Sequence, residues 1–204
     1  MDEHQPLPLD IVDGLTLDDE AREVLRPGEM LHDQEGRARR LPRFFYKIDS
    51  WKTAEETKLA PEFSLYEFIV TDVREAEPQQ TFPQYIPCAV TLLAAQLSLF
   101  RERVDTFVHI AANGGYRSPA HELSRHATRH HWATAVNIYR VGDDYLEDRD
   151  TIEHYAEIAQ DVLPSAWLRP YGHAAGYADD HLHIDLGYVT VVPHEAPGER
   201  EPDA

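Results

Sequence analysis

The residues with the clearest chemistry stand in the run D-H-L-H-I-D at 180–185. On an extended strand successive side chains point to opposite faces. His181, His183 and Asp185 then share one face, and Leu182, Ile184 and Leu186 share the other. Unpaired polar groups on a packed strand are costly, so the polar face demands either a metal ion or a satisfied hydrogen-bond network. A second run, H-H-W-A-T-A-V-N at 130–137, supplies the complement. Ala133, Ala135, Asn137 and Tyr139 fall on one face of a strand, and two alanines beside one polar group leave room for a metal or a substrate. His130 stands just before that strand and can turn into the same space. Imidazoles with one or two oxygen ligands and an open position suit catalytic zinc, whose bound water becomes a nucleophile near neutral pH.

A third stretch is G-G-Y-R-S-P at 114–119. Its two glycines permit positive φ or a close backbone approach. Arg117 after such a turn can offer its guanidinium fork to a carboxylate or a developing oxyanion. A rival use of the same residues is non-haem iron, through His183-x-Asp185 and a distant histidine. The only histidine after that pair is His194, nine residues beyond Asp185, too close for a return from another strand.

These residues need elements to hold them. Val90, Leu93, Ala94, Leu97 and Val104 recur at helical spacing, and Pro87 suits a first helical position, so a helix is expected over 87–103. Thr151–Leu163 reads as a second helix, capped by Asp150 and ended by Pro164. Thr16–Asp19 can cap a short helix lined by Leu17, Ala21, Val24 and Leu25, and Ser64 with Glu67 has capping-box spacing. Strands are expected at Leu41–Ile48, Phe107–Ala112, Ala133–Tyr139, Trp167–Tyr171 and His181–Val192, with a loop at Glu75–Pro87. Arg37–Arg40 reads as a solvated basic loop. No repeat and no regular βαβ alternation is present, so the fold class is α+β, with a small, mainly antiparallel sheet flanked by helices.

Composition narrows the partners. Lys plus Arg is 19 against 37 Asp plus Glu, a formal net charge of -18. That balance argues against nucleic acid and against an anionic membrane. The single cysteine, Cys88, excludes a disulfide framework and a cysteine-rich zinc site, and its apolar neighbours suit a buried thiol. The first residues lack the basic and apolar regions of a secretory signal, and Ala89–Phe100 is too short and interrupted to span a bilayer. The expectation is a chain made in the cytoplasm, reaching any cell wall through lysis or an unconventional route.

Order and spacing together resemble the zinc D-alanyl-D-alanine carboxypeptidases and dipeptidases, whose fold the hedgehog signalling domain shares. That family shows S-G-Y-R-S-P, then S-x-H-x-x-G-x-A-x-D, then an acidic residue three before a final histidine. This chain reads G-G-Y-R-S-P at 114–119, T-R-H-H-W-A-T-A-V-N at 128–137 and D-H-L-H-I-D at 180–185. F-S-L-Y-E-F at 63–68 and the helix at 87–103 are also similar. The resemblance covers roughly 62–187. It implies a peptidase-like domain over 61–194, an N-terminal extension of unassigned role at 1–60 and a disordered tail at 195–204.

By that resemblance His130, Asn137 and His183 are the zinc ligands. Asp180 is the acid/base, Arg117 binds or polarises the scissile carbonyl region, and His181 is an auxiliary group. Tyr116 and Ser118 contact substrate. The implied activity is hydrolysis, as a carboxypeptidase or an endopeptidase, of D-amino-acid-containing peptidoglycan peptides. Asn137 departs from the family's aspartate, leaving the site one negative charge short. Asp179, His131 and Asp185 are nearby substitutes, and His126 an alternative start to the motif. The rival implication is a peptide- or wall-fragment-binding protein that keeps the cleft without a competent metal.

Overall fold

The computed structural model describes residues 7–173, 177–194 and 196–197. It is a mixed α/β structure with six α-helices and several small antiparallel sheets among the described residues. The expected tail at 195–204 lies outside the described residues except for 196 and 197.

The N-terminal part holds β1 (Ile11–Asp13), α1 (Asp19–Leu25), β2 (Met30–His32), β3 (Ala38–Arg40), β4 (Phe44–Lys47), α2 (Trp51–Glu56), β5 (Lys58–Ala60) and β6 (Phe63–Ser64). The middle holds α3 (Tyr66–Ile69), α4 (Glu77–Thr81), β7 (Tyr85–Pro87), α5 (Val90–Val104) and β8 (Val108–Ile110). The rest holds β9 (Ala135–Val141), β10 (Asp144–Tyr145), α6 (Arg149–Val162), β11 (Trp167–Leu168) and β12 (Leu182–Asp185). One sheet runs β1-β4-β7; another runs β10-β9-β12-β11, with β8 also paired to β9.

Local signals act through identifiable bonds. The Asp18 carboxylate accepts from Ala21 N and starts α1, which ends at Arg26 in the left-handed region. Glu67 accepts from the amide and hydroxyl of Ser64. Asp148, two residues earlier than the expected Asp150, caps α6 through Thr151 N. Pro87 does not open α5. It ends β7, whose only sheet partner among the described residues is β4, and an edge tolerates a residue with no N–H. Arg37–Arg40 is also more ordered than a loop: β2 and β3 form a hairpin, and Arg39 pairs with the buried Asp33. β12 stops at Asp185, well short of Val192, and Glu75–Pro87 contains α4 and β7 rather than loop alone.

α5 is the packing axis. Val90, Leu93, Ala94, Leu97 and Phe100 fall on one stripe and are fully buried, each large side chain contributing about 2 kcal/mol of burial. The same cluster holds Leu25, Phe44 and Ile48 from the first sixty residues and Val136, Ile138 and Ile184 beneath the chemical face. Cys88 sits in this core, where burial pushes its thiol up to about 12. Among the described residues no helix is long and apolar enough to cross a membrane.

Candidate metal centre and cleft

β9 and β12 pair antiparallel, with His183 directly opposite Asn137. Leu182 and Ile184 turn inward as the alternation requires, so His183 and Asp185 take the other face. The 3₁₀ turn at Arg129–Trp132 carries His130 to the same place and ends at Ala133, whose φ is 54°. That left-handed residue reverses the chain into β9, a conformation that costs a non-glycine residue about 1 kcal/mol.

The loop at 114–119 approaches from the other side. Neither glycine has positive φ; that role falls to Asn113, at 56°. The glycines serve close approach instead. A Cβ on Gly114 would lie 2.6 Å from Ala111 O, and one on Gly115 would meet the backbone of Phe68. Gly115 thereby brings its carbonyl to the His130 ring, where His130 Nδ1–H donates to it at 2.7 Å.

His183 follows the same plan. A neutral imidazole has one N–H, and His183 Nδ1 spends it on Asn137 Oδ1 at 2.7 Å. Its Nε2 keeps a lone pair, 4.0 Å from Asp185 Oδ2. The two rings stand 5.4 Å apart at their centroids. Burial drives both imidazoles below their usual pKa, and the Arg117 charge acts in the same direction. Both are therefore neutral at physiological pH. Imidazoles whose N–H groups are tied back to oxygen acceptors are prepared as metal ligands.

The third place is different. Asn137 Oδ1 is already used by His183, so in this structure Asn137 orients a histidine rather than offering a free oxygen. Asp185 brings an anionic oxygen to 4.0 Å from His183 Nε2, but Arg129 Nε holds its Oδ2 at 3.0 Å and Gly187 N donates to its Oδ1 at 2.5 Å. Among the described residues no group of three or more His, Cys, Asp or Glu is placed to hold a metal. What the residues offer is two neutral imidazoles without a third unengaged donor among the described residues, one protein charge fewer than a carboxylate-bearing site.

These residues line a cleft of about 980 Å³. Arg117, His130, Asn137, Asp180, His181 and His183 all border it. Arg117 Nε donates to Asn113 O at 2.5 Å, and burial lowers this guanidinium to about 10, still charged at neutral pH. Asp180 is exposed and accepts from His181 Nδ1 at 2.6 Å, and its second oxygen has no hydrogen-bond partner among the described residues. His181 Nε2 accepts from Arg169 Nη2 at 3.0 Å; burial lowers its pKa to about 4. Arg169 is itself buried and also donates to Ala178 O at 2.6 Å.

Tyr116 and Ser118 do not border the cleft. Tyr116 is in the core, and Ser118 turns inward to the buried Glu75, donating through Oγ at 2.5 Å and through N at 3.0 Å. They hold the loop rather than touch what the cleft binds. Of the alternative ligands, His131 is buried with both ring nitrogens against backbone carbonyls, and Asp179 accepts from Gly172 N. His126 does not border the cleft. The sequence signals missed Glu75, Arg169 and Tyr139. Only Tyr139 had one, its place on the face of Asn137. No family model, no curated protein and no solved structure matches the chain.

Proposed function

We propose that the chain is a zinc-dependent peptidase, a carboxypeptidase or endopeptidase, acting on D-amino-acid-containing peptides of the peptidoglycan type. The observation that supports it is the pair His130 and His183, both neutral, both tied back through Nδ1, and both facing one cleft with Arg117 and Asp180. His130 and His183 would hold the metal, which when bound supplies a Lewis acid and lowers the pKa of its water. The chain's own groups divide the remaining work. Arg117 presents a fixed cation to a substrate carboxylate or to a carbonyl gaining negative charge. The free oxygen of Asp180 takes a proton from water and returns it to the leaving amine. His181 and Arg169 hold Asp180 in place, and Asp185 lies on the Nε2 side of the His183 ring.

One observation favours a second reading, a peptide- or wall-fragment-binding protein without competent metal. Asn137 is neutral, and its oxygen is spent on His183. Metal content of protein purified without chelator, together with cleavage of a D-alanyl dipeptide and of a muropeptide, separates the two. The enzyme reading expects about one zinc per chain, lost in His130→Ala and His183→Ala, and measurable cleavage. Absence of both zinc and cleavage, with muropeptide still bound, establishes the second reading instead.

A further inference from the structure

The cleft continues at one rim into a strip of aromatic rings. β8 and β9 pair at His109↔Arg140 and again at Ile110↔Ile138, so Tyr139 is an extra residue with none opposite. Such a bulge re-aims side chains. Here it lets Tyr139 and Arg140, neighbours in sequence, both escape the interior, while Ile138 and Val141 on either side are buried. Tyr139 borders the cleft. Its ring lies 6.0 Å from His109 and 6.3 Å from Tyr145, and His109 lies 6.2 Å from Phe107. Phe107 is 64% exposed and Tyr145 53%, so these rings are not explained by the core.

Polar groups are threaded between the rings. Arg140 Nη2 donates to His109 Nε2 at 2.9 Å, which fixes the remaining imidazole N–H on Nδ1. Arg140 Nε is buried and has no hydrogen-bond partner among the described residues. Arg101 stands over the Phe107 ring at 4.7 Å, and Arg140 over Tyr145 at 5.5 Å.

We propose that the strip Phe107–His109–Tyr139–Tyr145 is an oligosaccharide-binding subsite continuous with the cleft. Ring faces accept the apolar C–H faces of pyranose rings, while Arg140, His109 and the phenols meet the hydroxyls between them. A wholly apolar partner would bury those polar groups unmatched. A polyanionic nucleic acid would have to approach a chain of net charge -18. The subsite needs no metal and stands independently of the peptidase reading.

The test is a calorimetric titration of the full chain, in chelator, with the tetramer of N-acetylglucosamine. Saturable binding is expected, weakened roughly fivefold in Phe107→Ala and again in Tyr145→Ala, the size of one aromatic contact. Both side chains are exposed, so thermal unfolding should stay unchanged and report intact folding. No binding, or binding that neither substitution alters, overturns the proposal. So does tighter binding of a short oligothymidylate, or a Phe107→Ala effect confined to self-association in sedimentation. Because chelator is present throughout, failure here is distinct from failure to bind zinc or cleave peptide.

Discussion

Two polar clusters flank the 114–119 loop, and they are built on opposite plans. Around Glu75 everything is closed: the buried carboxyl accepts from Ser118 Oγ, Ser118 N and Ala76 N. Around His130 and His183 the bonding is one-sided: each ring is fixed through Nδ1, and each Nε2 retains its lone pair. The first cluster has no capacity left for a ligand. The second has been oriented and then left incomplete. Closure marks a polar group that serves the fold, while a fixed ring with an unspent lone pair marks one available for chemistry.

The contrast can be broken from the closed side first. Glu75→Ala should strand two buried donors and a half-buried third, and cost about 3 kcal/mol or more, read as a lower urea midpoint. If stability hardly changes, the cluster is not the scaffold it resembles. The largest expected effect on the open side comes from Asn137→Asp. It adds a negative charge beside the imidazoles and should tighten zinc binding on the order of 100-fold in a competition titration with a chromophoric chelator. Unchanged affinity would mean that position 137 never reaches the metal. Asp185→Asn removes the anionic oxygen 4.0 Å from His183 Nε2 and should weaken zinc roughly tenfold, while Arg129→Gln leaves the carboxylate in place and should lose less.

The smallest effect is confined to acid. Burial lowers His121 to about 4, from the 6.5 of a free imidazole. The folded state then binds fewer protons than the unfolded state between those values, so stability is full above 6.5 and falls as pH drops toward 4. His121→Asn should flatten part of that fall in urea midpoints measured across the range.

Much of the scaffold was legible because its causes are local. The stripe Val90, Leu93, Ala94, Leu97 specifies a helix that is present, and the spacing of Ser64 with Glu67 does bring the two together, though the short helix that follows is capped at Leu65 with no side-chain bond. The face shared by His183 and Asp185 follows from strand alternation alone. What escaped depends on distant partners. Glu75 sits in an unremarkable loop, and only Ser118, 43 positions away, makes it structural. Tyr116 and Ser118 lie in the motif that marks the loop, and nothing local says that they turn inward. Pro87 obeys a rule for helix starts as readily as one for edge strands, and pairing with Phe45 decides between them. The job of Asn137 was equally hidden: its residue type gives a neutral oxygen, while its use by His183 comes from cross-strand register.

β9 is the strand to which β8, β10 and β12 all attach, and it carries Asn137 and Tyr139 itself. Its amide protons should therefore exchange with solvent only when the whole domain opens, slower than those of the edge strand β7. A ligand held at this strand cannot be accommodated by loosening a peripheral loop. Its binding energy should appear undiluted as slower global exchange, which makes deuterium uptake along 135–141 a sensitive assay for ligands that produce no colour, no product and no change of shape.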